Sequence, residues 1–599
     1  MRAAAGIGED ARFARNAWIR ALSLTASIER QPRVTLPVLP ARWAERDADA
    51  VALASREAVW SYRDLASACN RHARWGLDRG LRPGDAVALM MENCVEYPAI
   101  WLGLARIGVA VALVNTNLRD EALAHAIGVV APKLIVCGAG CAAELAAVRG
   151  RMPDGLGLFV HGAEMPGFAS MESGLAAAGD DPVDPSECEP PSIDDVALYI
   201  YTSGTTGLPK AARVSHYRVM QWSHWFAGMM DTGAADRMYV CLPMYHSVGG
   251  VVAPGAALVG GGSVVIRPQF SAGDFWRDIE TERCTLFQYI GELCRYLLNG
   301  PVRAEETRHA LRMACGNGLR PEVWEPFKRR FRIPRILEYY AATEGNFSLY
   351  NCEGEPGSIG RIPPFLSHRL PVALLRFDVD AERPLRNAAG FCERAAPDEI
   401  GEAVGAVSAE GGRTGRFEGY VDPDATQGKL LHDVFESGDS WYRTGDLMRR
   451  DQRGFYYFVD RVGETYRWKG ENVSTTEVAA VVAAAPGVID ATVYGVAVAN
   501  ADGRAGMAAL VTDADFDPAR FHAHVAARLP AYARPCFLRL LSSIDSTATF
   551  KPRKQDLVAA GFDPGRIGDP LYFDDRRMGS YRRLDAAAHA AINAGDIRL

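Results

Sequence analysis

The sequence lacks a charge of one dominant sign. It carries 66 Lys and Arg residues against 73 Asp and Glu residues, which gives a net charge of −7 over 599 residues. This weak acidic balance argues against a general nucleic-acid binder, and against a protein that adheres to anionic membranes through overall charge, since both need a basic surface. Any phosphate group that the protein binds must therefore be held by local groups. No nucleic-acid partner is expected.

Cysteine pairs with the spacing of a metal site are also missing. The twelve cysteines are scattered, and none stands in a C-x-x-C pair. The closest two, Cys137 and Cys141, have no second pair nearby that would complete a zinc site. The sequence therefore predicts reduced, mostly buried thiols in a cytoplasmic protein, rather than a disulfide framework or a structural metal centre.

Long uninterrupted apolar runs are absent as well. Residues 1–31 carry charges throughout, so no signal peptide is expected. The two longest apolar stretches, residues 97–114 and 238–266, are broken by Arg106 in the first and by Pro243 in the second. Such interruptions favour buried helices and strands over a membrane span.

The N-terminal region does show helical periodicity. Its apolar residues recur at the spacing of one helix face: Phe13, Ala17, Trp18, Ala21 and Leu22. This pattern predicts a helix that docks on the body of the protein or lies on a membrane surface, and docking is favoured.

The following region alternates strand-like and helix-like patterns. Apolar runs predict strands at residues 51–54, 85–90 and 134–137. Amphipathic spacing predicts helices at residues 62–80 and 95–107. This alternation is typical of an α/β sheet. Residues 142–195, which are rich in Gly, Ala and Pro, are interpreted as a variable surface segment before the sheet resumes at residue 196.

The stretch YIYTSGTTGLPK, residues 199–210, gathers many hydrogen-bond donors after an apolar run. Its donors are four hydroxyl residues, two glycines and a lysine: Thr202, Ser203, Thr205, Thr206, Gly204, Gly207 and Lys210. Glycines let backbone N–H groups approach phosphate oxygens, hydroxyls donate further hydrogen bonds, and lysine supplies a positive charge. It is not a Walker A loop, which places Lys directly after Gly. The stretch predicts a polyphosphate-binding loop.

Two later stretches carry a candidate nucleotide and metal site. CGNGLRPEVW, residues 315–324, predicts a glycine loop at which an adenine ring can approach the backbone: Gly316, Asn317 and Gly318. In ILEYYAATEGN, residues 336–346, Tyr340 can cover the other face of the ring by stacking. Thr343 and Glu344 then end a predicted strand, and a carboxylate there suits Mg2+, which prefers oxygen ligands.

The C-terminal third adds an Asp, an Arg and a Lys with candidate roles. Asp446, in WYRTGDL, can accept both hydroxyls of a ribose, and the planar fork of Arg461 can hold ribose or phosphate. Patterns of strand and helix then predict a compact α+β unit: helices at 477–485 and 518–529, strands at 488–494, 505–511 and 535–541. Lys551, in STATFKPRKQDL, comes shortly after the last of these strands.

Taken together, these motifs resemble the AMP-binding signature of the adenylate-forming superfamily, which comprises acyl-CoA synthetases, luciferases and peptide-synthetase adenylation domains. The sequences YVCLPMYHSVGG, GNGLRP, ATEGN and YRWKGENVSTTEV are similar to those of the branch that contains very-long-chain acyl-CoA synthetases and fatty-acid transport proteins. The resemblance covers nearly the whole chain beyond the first few dozen residues.

The resemblance implies an α/β fold with two domains. A large N-terminal multi-sheet α/β domain, residues 36–460, precedes a small mobile C-terminal α+β domain, residues 461–575, flanked by a helical extension at 1–35 and a tail at 576–599. The small domain is expected to rotate about a hinge at residues 461–464. Gly463 stands there where many relatives carry Asp or Lys, and Phe550 stands where standard relatives have Gly before the lysine.

The activity implied is ATP-dependent ligation of a long-chain or very-long-chain fatty acid to coenzyme A, through an acyl-adenylate and with release of AMP and pyrophosphate. Glu344 is expected to hold Mg2+, residues 202–210 the pyrophosphate, and Lys551 the α-phosphate and the carboxylate. Lys469 and Gly470 are expected on the face presented to coenzyme A. His246, which taken alone reads as a packing residue, becomes a wall or gate of the acyl channel.

Two other functions stay open at this point. One is a ligase for a sterol side-chain or aromatic acid, or one that hands its acyl group to a separate carrier protein. The other is a lipid-uptake or lipid-binding protein with vestigial enzyme motifs. The sequence does not fix the acyl chain length, and it is compatible with a homodimer and with peripheral association at the inner face of a membrane.

Overall fold

The structure is a computed structural model that describes residues 9–153, 155–202, 208–379, 381–408, 415–469, 471–499, 501, 503–546, 553–597 and 599. The chain divides into two compact units, Met1–Gly360 with Arg416–Leu430, and Arg361–Gly415 with Leu431–Leu599. The short segment Arg416–Leu430 therefore belongs to the first unit, although both of its flanks belong to the second. The domain boundaries predicted at residues 35, 460 and 575 remain predictions.

The first unit contains thirteen helices within its described residues. They are α1 (Glu9–Thr25), α2 (Leu39–Arg46), α3 (Tyr62–Asp78), α4 (Glu96–Arg106), α5 (Asp120–Val129), α6 (Ala142–Ala147), α7 (Met171–Ala177), α8 (His216–Met230), α9 (Ala253–Gly260), α10 (Phe275–Thr281), α11 (Gly291–Asn299), α12 (Pro321–Arg330) and α13 (Pro423–Gln427).

The strands of the first unit, in chain order, are β1 (Val51–Ala54), β2 (Val59–Ser61), β3 (Ala86–Met90), β4 (Ala110–Leu113), β5 (Leu134–Gly138), β6 (Gly157–His161), β7 (Ala169–Ser170), β8 (Val196–Thr202), β9 (Lys210–Ser215), β10 (Arg237–Val240), β11 (Ser263–Ile266), β12 (Leu286–Ile290), β13 (Met313–Asn317), β14 (Ile336–Ala341) and β15 (Ser348–Asn351). They form two sheets, with the orders β15-β14-β13-β12-β10-β11-β1-β2 and β7-β6-β5-β3-β4-β8-β9.

The sequence patterns explain most of these elements. Strands β3, β4 and β5 pair in parallel and are buried at every position, as apolar strands covered on both faces must be. Helix α3 begins with a capping box in which Ser61 and Asp64 bind each other's backbone N–H groups. The strands predicted at 51–54, 85–90 and 134–137 and the helices predicted at 62–80 and 95–107 are confirmed.

The interpretation of residues 142–195 as a surface segment was wrong. The region adds β6 and β7 to the sheet, where β6 pairs in parallel with β5. In β6, Leu158 and Val160 are buried, and the other three positions are partly exposed. An alternation of buried and half-exposed residues over only five positions is a weak strand signal, and glycines and prolines nearby obscure it.

Helix α1 docks on the first unit, as its apolar face predicted. Ala14, Ala17, Trp18 and Ala21 are buried. The helix crosses α8 closely at Gly228, where a Cβ atom would lie 2.5 Å from the backbone of Ala21. The Trp18 ring packs edge-on against Trp225 and Tyr350, with 5.7 Å between ring centroids in each pair. Apolar burial and close backbone approach therefore hold α1 in place.

In the second unit the strands, in chain order, are β16 (Val372–Asp378), β17 (Arg383–Pro384), β18 (Ile400–Ala406), β19 (Leu430–His432), β20 (Ser440–Arg450), β21 (Tyr456–Arg461), β22 (Tyr466–Trp468), β23 (Glu471–Val473), β24 (Val488–Ala497), β25 (Arg504–Thr512), β26 (Phe537–Leu541), β27 (Leu571–Asp575) and β28 (Ser580–Arg583). Its helices are α14 (Thr475–Ala483), α15 (Pro518–Arg528), α16 (Gln555–Ala560) and α17 (Ala586–Ala594).

These strands form a six-stranded sheet ordered β17-β16-β18-β20-β19 with β21 beside β20, a β22-β23 hairpin, and a five-stranded sheet ordered β24-β25-β26-β27-β28. The helices and strands predicted between residues 477 and 541 are confirmed as α14, β24, β25, α15 and β26. Residues 576–599, predicted as a tail, contribute β28 and α17 to this α+β unit, and Ile592 of α17 joins its apolar core.

The apolar runs and the cysteines are accounted for by burial. Residues 97–114 supply α4 and β4, and the run at 238–266 supplies β10, α9 and β11. Within the described ranges, no helix has the length and apolarity needed to cross a bilayer. All twelve cysteines are free thiols, and ten of them are buried, as predicted.

Replacing Trp18 tests the docking of α1. Trp18 is 2% exposed, and its truncation leaves a cavity between α1 and α8. We expect Trp18→Ala to lower the free energy of unfolding of the first unit by about 3–5 kcal/mol, measured by chemical denaturation. Ile19→Ala is the matched control, because Ile19 lies on the same helix and is 52% exposed. Equal losses in the two variants would contradict the docked arrangement.

Candidate active site

The predicted phosphate loop joins two antiparallel strands at the edge of a sheet. Thr202 ends β8, Lys210 begins β9, and the two residues are partners in the register of the hairpin. Both are partly exposed. The five residues between them that carry the predicted donors lie outside the described residues: Ser203, Gly204, Thr205, Thr206 and Gly207. The structure thus fixes where both ends of this loop leave the sheet.

A buried tyrosine links this hairpin to the predicted magnesium ligand. Tyr420 Oη donates a hydrogen bond to Glu344 Oε1 over 2.8 Å, and both residues are buried. Lys210 Nζ lies 5.9 Å from the centroid of the Tyr420 ring. Burial, and then the charge of Glu344, raises the pKa of the Tyr420 hydroxyl, so it remains a neutral donor. Lys210, Tyr420 and Glu344 therefore meet at the end of the hairpin.

The segment that carries Tyr420 extends the sheet beside β9. Arg213 N–H donates to Gly419 O over 3.0 Å, and Val421 N–H donates to Ala211 O over 2.9 Å. These bonds place Tyr420 opposite Ala212 as an isolated antiparallel bridge. Sequence reasoning missed Tyr420, because it stands in no motif and its neighbours give no strand pattern.

A buried arginine fixes the loop on which Thr343 and Glu344 lie. One terminal nitrogen of Arg218 donates to the carbonyl oxygens of Thr343 and Gly345, over 2.9 Å each. Its Nε lies 3.7 Å from a carboxylate oxygen of Glu418, and both side chains are about 5% exposed. Because the carbonyls on both sides of Glu344 are held, the backbone that aims its carboxylate cannot turn freely.

His246 lies on a loop that approaches the same segment. Ser247 Oγ is 3.5 Å from Thr343 Oγ1, and the ring of His246 packs 4.7 Å from that of Tyr245. Buried Asn93 holds the start of this loop: its amide group donates to Leu242 O over 2.9 Å and accepts from Met244 N–H over 2.8 Å. Thr343 and His246 are thus brought to neighbouring positions.

The predicted glycine loop at 316–318 was partly wrong. Gly316 and Asn317 are the last residues of β13, and the turn begins at Gly318, whose φ is +77°. Gly316 is required within the strand because a Cβ atom there would lie 2.2 Å from the carbonyl oxygen of Tyr289. A glycine that serves close packing inside a strand is indistinguishable by sequence from one that serves a turn.

Glu338 on β14 holds this turn from beneath. Its side chain accepts hydrogen bonds from Leu319 N–H over 3.1 Å and from Tyr289 Oη over 2.5 Å. Burial raises the pKa of Glu338 to about 8. Strands β13 and β14 pair in parallel with Gly316 opposite Glu338, so Tyr340 and Gly318 lie at the same edge of the sheet. The ring of Tyr340 lies 5.9 Å from that of Phe347.

In the second unit, the structure brings Asp446 and Arg461 together. They are register partners on β20 and β21, and Arg461 Nε lies 3.6 Å from Asp446 Oδ1. Asp446 is buried, whereas the Arg461 side chain is 45% exposed. A buried carboxylate beside an exposed guanidinium can receive a ribose and an adjacent phosphate. The chain then turns at Gly463, whose φ is +84°.

The other predicted residues of this unit are only partly described. Lys469 follows β22 with a φ of +54°, and its ammonium group donates to the carbonyl oxygen of Leu599. Burial lowers the pKa of Lys469. Gly470 and Lys551 lie outside the described residues. Their predicted roles stay predictions.

The pH dependence of stability tests the position of Glu338. In the folded protein its pKa is about 8, above the ordinary value of 4.5. Its contribution to the free energy of unfolding is therefore complete below pH 4.5 and is lost as the pH rises through 8. Glu338→Gln keeps an acceptor for Leu319 N–H and cannot ionise. We expect its melting temperature to fall less than that of the wild type between about pH 5 and pH 9.

The matched control for this measurement is Glu325→Gln, since Glu325 is an exposed residue of α12. Its pH profile should follow that of the wild type. If Glu338→Gln and the wild type lose stability in parallel between about pH 5 and pH 9, the assignment of a raised pKa to Glu338 is wrong.

Comparisons with known proteins agree with this arrangement. Residues 40–371 match the AMP-binding enzyme family, and residues 477–551 match the AMP-binding enzyme C-terminal domain. Long-chain fatty acid transport protein 1 of Mus musculus is 43% identical over 94% of this chain and 88% of its own. Long-chain fatty acid transport protein 3 of Homo sapiens is 42% identical over 87% of this chain and 76% of its own.

Solved structures of low identity show the same fold. An anthranilate CoA ligase, AuaEII, in complex with anthranoyl-AMP superposes with a TM-score of 0.74 at 19% identity, covering 88% of this chain and 97% of its own. ATP-bound MatB from Rhodopseudomonas palustris gives 0.73 at 23% identity, covering 88% and 99%. The predicted α/β fold of adenylate-forming enzymes is confirmed. The chain belongs to the AMP-binding enzyme family, in the branch of the long-chain fatty acid transport proteins.

Proposed function

We propose that the protein is an ATP-dependent ligase that joins a long-chain or very-long-chain fatty acid to coenzyme A through an acyl-adenylate. Membership of the AMP-binding enzyme family supports the reaction class, and the named relatives support the fatty acid. The observation that carries the proposal is the cluster of partly exposed Lys210 with buried Tyr420 and Glu344 at the end of the β8–β9 hairpin. It joins a cation, a neutral donor and a carboxylate where phosphates would enter.

The chemistry explains why such a cluster is needed. A fatty carboxylate is a poor acyl donor, since its leaving group would be oxide. One carboxylate oxygen attacks the α-phosphorus of ATP, the bond to the bridging oxygen breaks, and pyrophosphate leaves with that electron pair. The thiolate of coenzyme A then attacks the acyl carbon, and AMP leaves. Both steps place negative charge on phosphate oxygens, which positioned cations and N–H groups stabilise.

The residues of the first unit fit the first step. The hairpin loop that Thr202 and Lys210 delimit supplies donors for the β- and γ-phosphates. Glu344 fits Mg2+, because the hydrogen bond that it accepts from Tyr420 among the described residues leaves its carboxylate with acceptor sites for a hard cation. Bound there, Mg2+ would neutralise phosphate charge. Tyr340, at the edge it shares with the Gly318 turn, is assigned to the adenine ring.

The second unit supplies the remaining contacts of the proposal. Asp446 and Arg461 would hold the ribose and a phosphate, and Lys469 is assigned to the binding of coenzyme A. Lys551 is assigned to the α-phosphate and the attacking carboxylate. His246 and Thr343 are assigned to the entry of the acyl channel.

The experiment that tests this function follows pyrophosphate release and thioester formation in parallel. Carboxylic acids from short to very long are supplied with ATP, Mg2+ and coenzyme A, and each reaction is repeated without coenzyme A. We expect long acids to release pyrophosphate and to yield acyl-CoA. Aromatic and sterol side-chain acids belong in the same series, since their preference over fatty acids would overturn the substrate assignment.

A variant of Lys551 separates the two half-reactions. We expect Lys551→Ala to lose pyrophosphate release but to keep thioester formation from a supplied acyl-adenylate. Pyrophosphate release without any thioester would indicate a different acyl acceptor. If the wild type gives neither pyrophosphate nor thioester, a lipid-binding protein is favoured instead.

Replacing Glu344 tests the metal site. Glu344→Gln keeps an oxygen acceptor for Tyr420 Oη but removes the negative charge. We expect the Mg2+ concentration for half-maximal pyrophosphate release to rise about tenfold or more, and calorimetry to show weaker Mg2+-dependent binding of ATP. Glu325→Gln, on the exposed face of α12, is the control and should leave both unchanged. An unaltered Mg2+ requirement in Glu344→Gln would exclude Glu344 as the ligand.

A further inference from the structure

A polar cluster in the second unit surrounds Lys554, a residue without a role in the reaction as proposed. Lys554 Nζ donates to Glu464 Oε2 over 2.6 Å and to Thr475 Oγ1 over 2.9 Å. The Lys554 side chain is 20% exposed, and Thr475 is fully buried. The ammonium group therefore has two defined acceptors on two different elements.

These acceptors belong to the turn after β21 and to the start of α14. Glu464 directly follows Gly463 in that turn, and Thr475 is the first residue of α14. Thr475 is itself tied to β21, because its N–H donates to Asp460 Oδ2 over 2.6 Å and its hydroxyl to Asp460 Oδ1 over 3.2 Å. Asp460 is 1% exposed. Lys554 thus docks on a rigid, hydrogen-bonded corner.

We propose that Lys554 is a positioning residue, which anchors the segment carrying Lys551 to the turn at 461–464 and to α14. The inference rests on the proposed function, in which Lys551 acts in adenylation. Lys551 stands three positions before Lys554, and three residues span at most about 10 Å. Fixing the side chain of Lys554 therefore limits the positions that Lys551 can reach.

Within the part of the chain that the structure describes, the neighbouring Arg553 makes no such link, and it provides a matched control. Its backbone N–H donates to Asp545 O over 2.9 Å, and its guanidinium lies 3.4 Å from Asp545 Oδ2. Both side chains of this pair are more than half exposed. Arg553 and Lys554 carry the same charge at adjacent positions, so a variant of each separates anchoring from a general effect of positive charge.

Anchoring predicts an unequal effect on the two half-reactions. Adenylation uses Lys551, whereas thiolysis of a supplied acyl-adenylate does not. We expect Lys554→Met to slow adenylation about tenfold or more, because small displacements of a catalytic group are costly, and to leave thiolysis close to the wild-type rate. Lys554→Arg keeps a cation at the site and should retain most adenylation. Arg553→Met should leave both rates unchanged.

Hydrogen exchange gives a readout that does not depend on activity. We expect the amides of residues 553–560 to exchange faster in Lys554→Met than in the wild type or in Arg553→Met. Equal losses of adenylation and thiolysis, or unchanged exchange and unchanged adenylation in Lys554→Met, would overturn the inference. A wild-type protein without any ligase activity would overturn the proposed function instead, while the exchange data would still decide whether Lys554 anchors its segment.

Discussion

The buried guanidinium of Arg218 is the constraint on which the candidate site depends. It donates hydrogen bonds to the carbonyl oxygens of Thr343, Gly345 and Arg416. It also lies beside the carboxylate of Glu418. Burying two charges costs desolvation energy that their attraction need not recover, so such a pair is weak grounds for stability. Its evident effect is geometric, because α8 is joined to the loop of Glu344 and to the segment that carries Tyr420. Loss of either partner would leave the other charge buried and uncompensated.

This constraint explains how a distant segment enters the site. Residues Arg416–Leu430 belong to the first unit, although the chain before and after them belongs to the second. Glu418 accepts hydrogen bonds from the backbone N–H and the hydroxyl of Ser215, at the start of α8. Two residues later, Tyr420 reaches Glu344. A carboxylate aimed by fixed neighbours needs little reorganisation when charge develops beside it, which is the condition for electrostatic stabilisation.

Hydrophobic periodicity and the order of the motifs predicted much of the fold. They did not predict which side chains become partners in the site. Strands such as β3 and β5 are predictable because they are apolar throughout, and Asp446 and Arg461 could be paired through motif resemblance. Gly316 was misassigned because a strand glycine needed for close packing reads as a turn. Tyr420 was missed because it stands in no recognised motif. Glu338 was missed because nothing in the stretch ILEYYAATEGN marks its carboxylate as a buried acceptor. Their roles exist only once the chain folds, when one meets Glu344 and the other the turn at Gly318.

Two ion pairs, one in each unit, differ in how far they are exposed to water. In the first unit, Arg218 and Glu418 are both about 5% exposed, so their pairing is little screened and cannot easily exchange for water. In the second, Lys554 and Glu464 are 20% and 39% exposed, and pairs open to solvent contribute only about 0–1 kcal/mol. The Arg218 pair therefore holds the loop of Glu344 through buried partners. Lys554 instead fixes its segment through hydrogen bonds to two defined acceptors, Glu464 and Thr475, and ion-pair energy contributes little there.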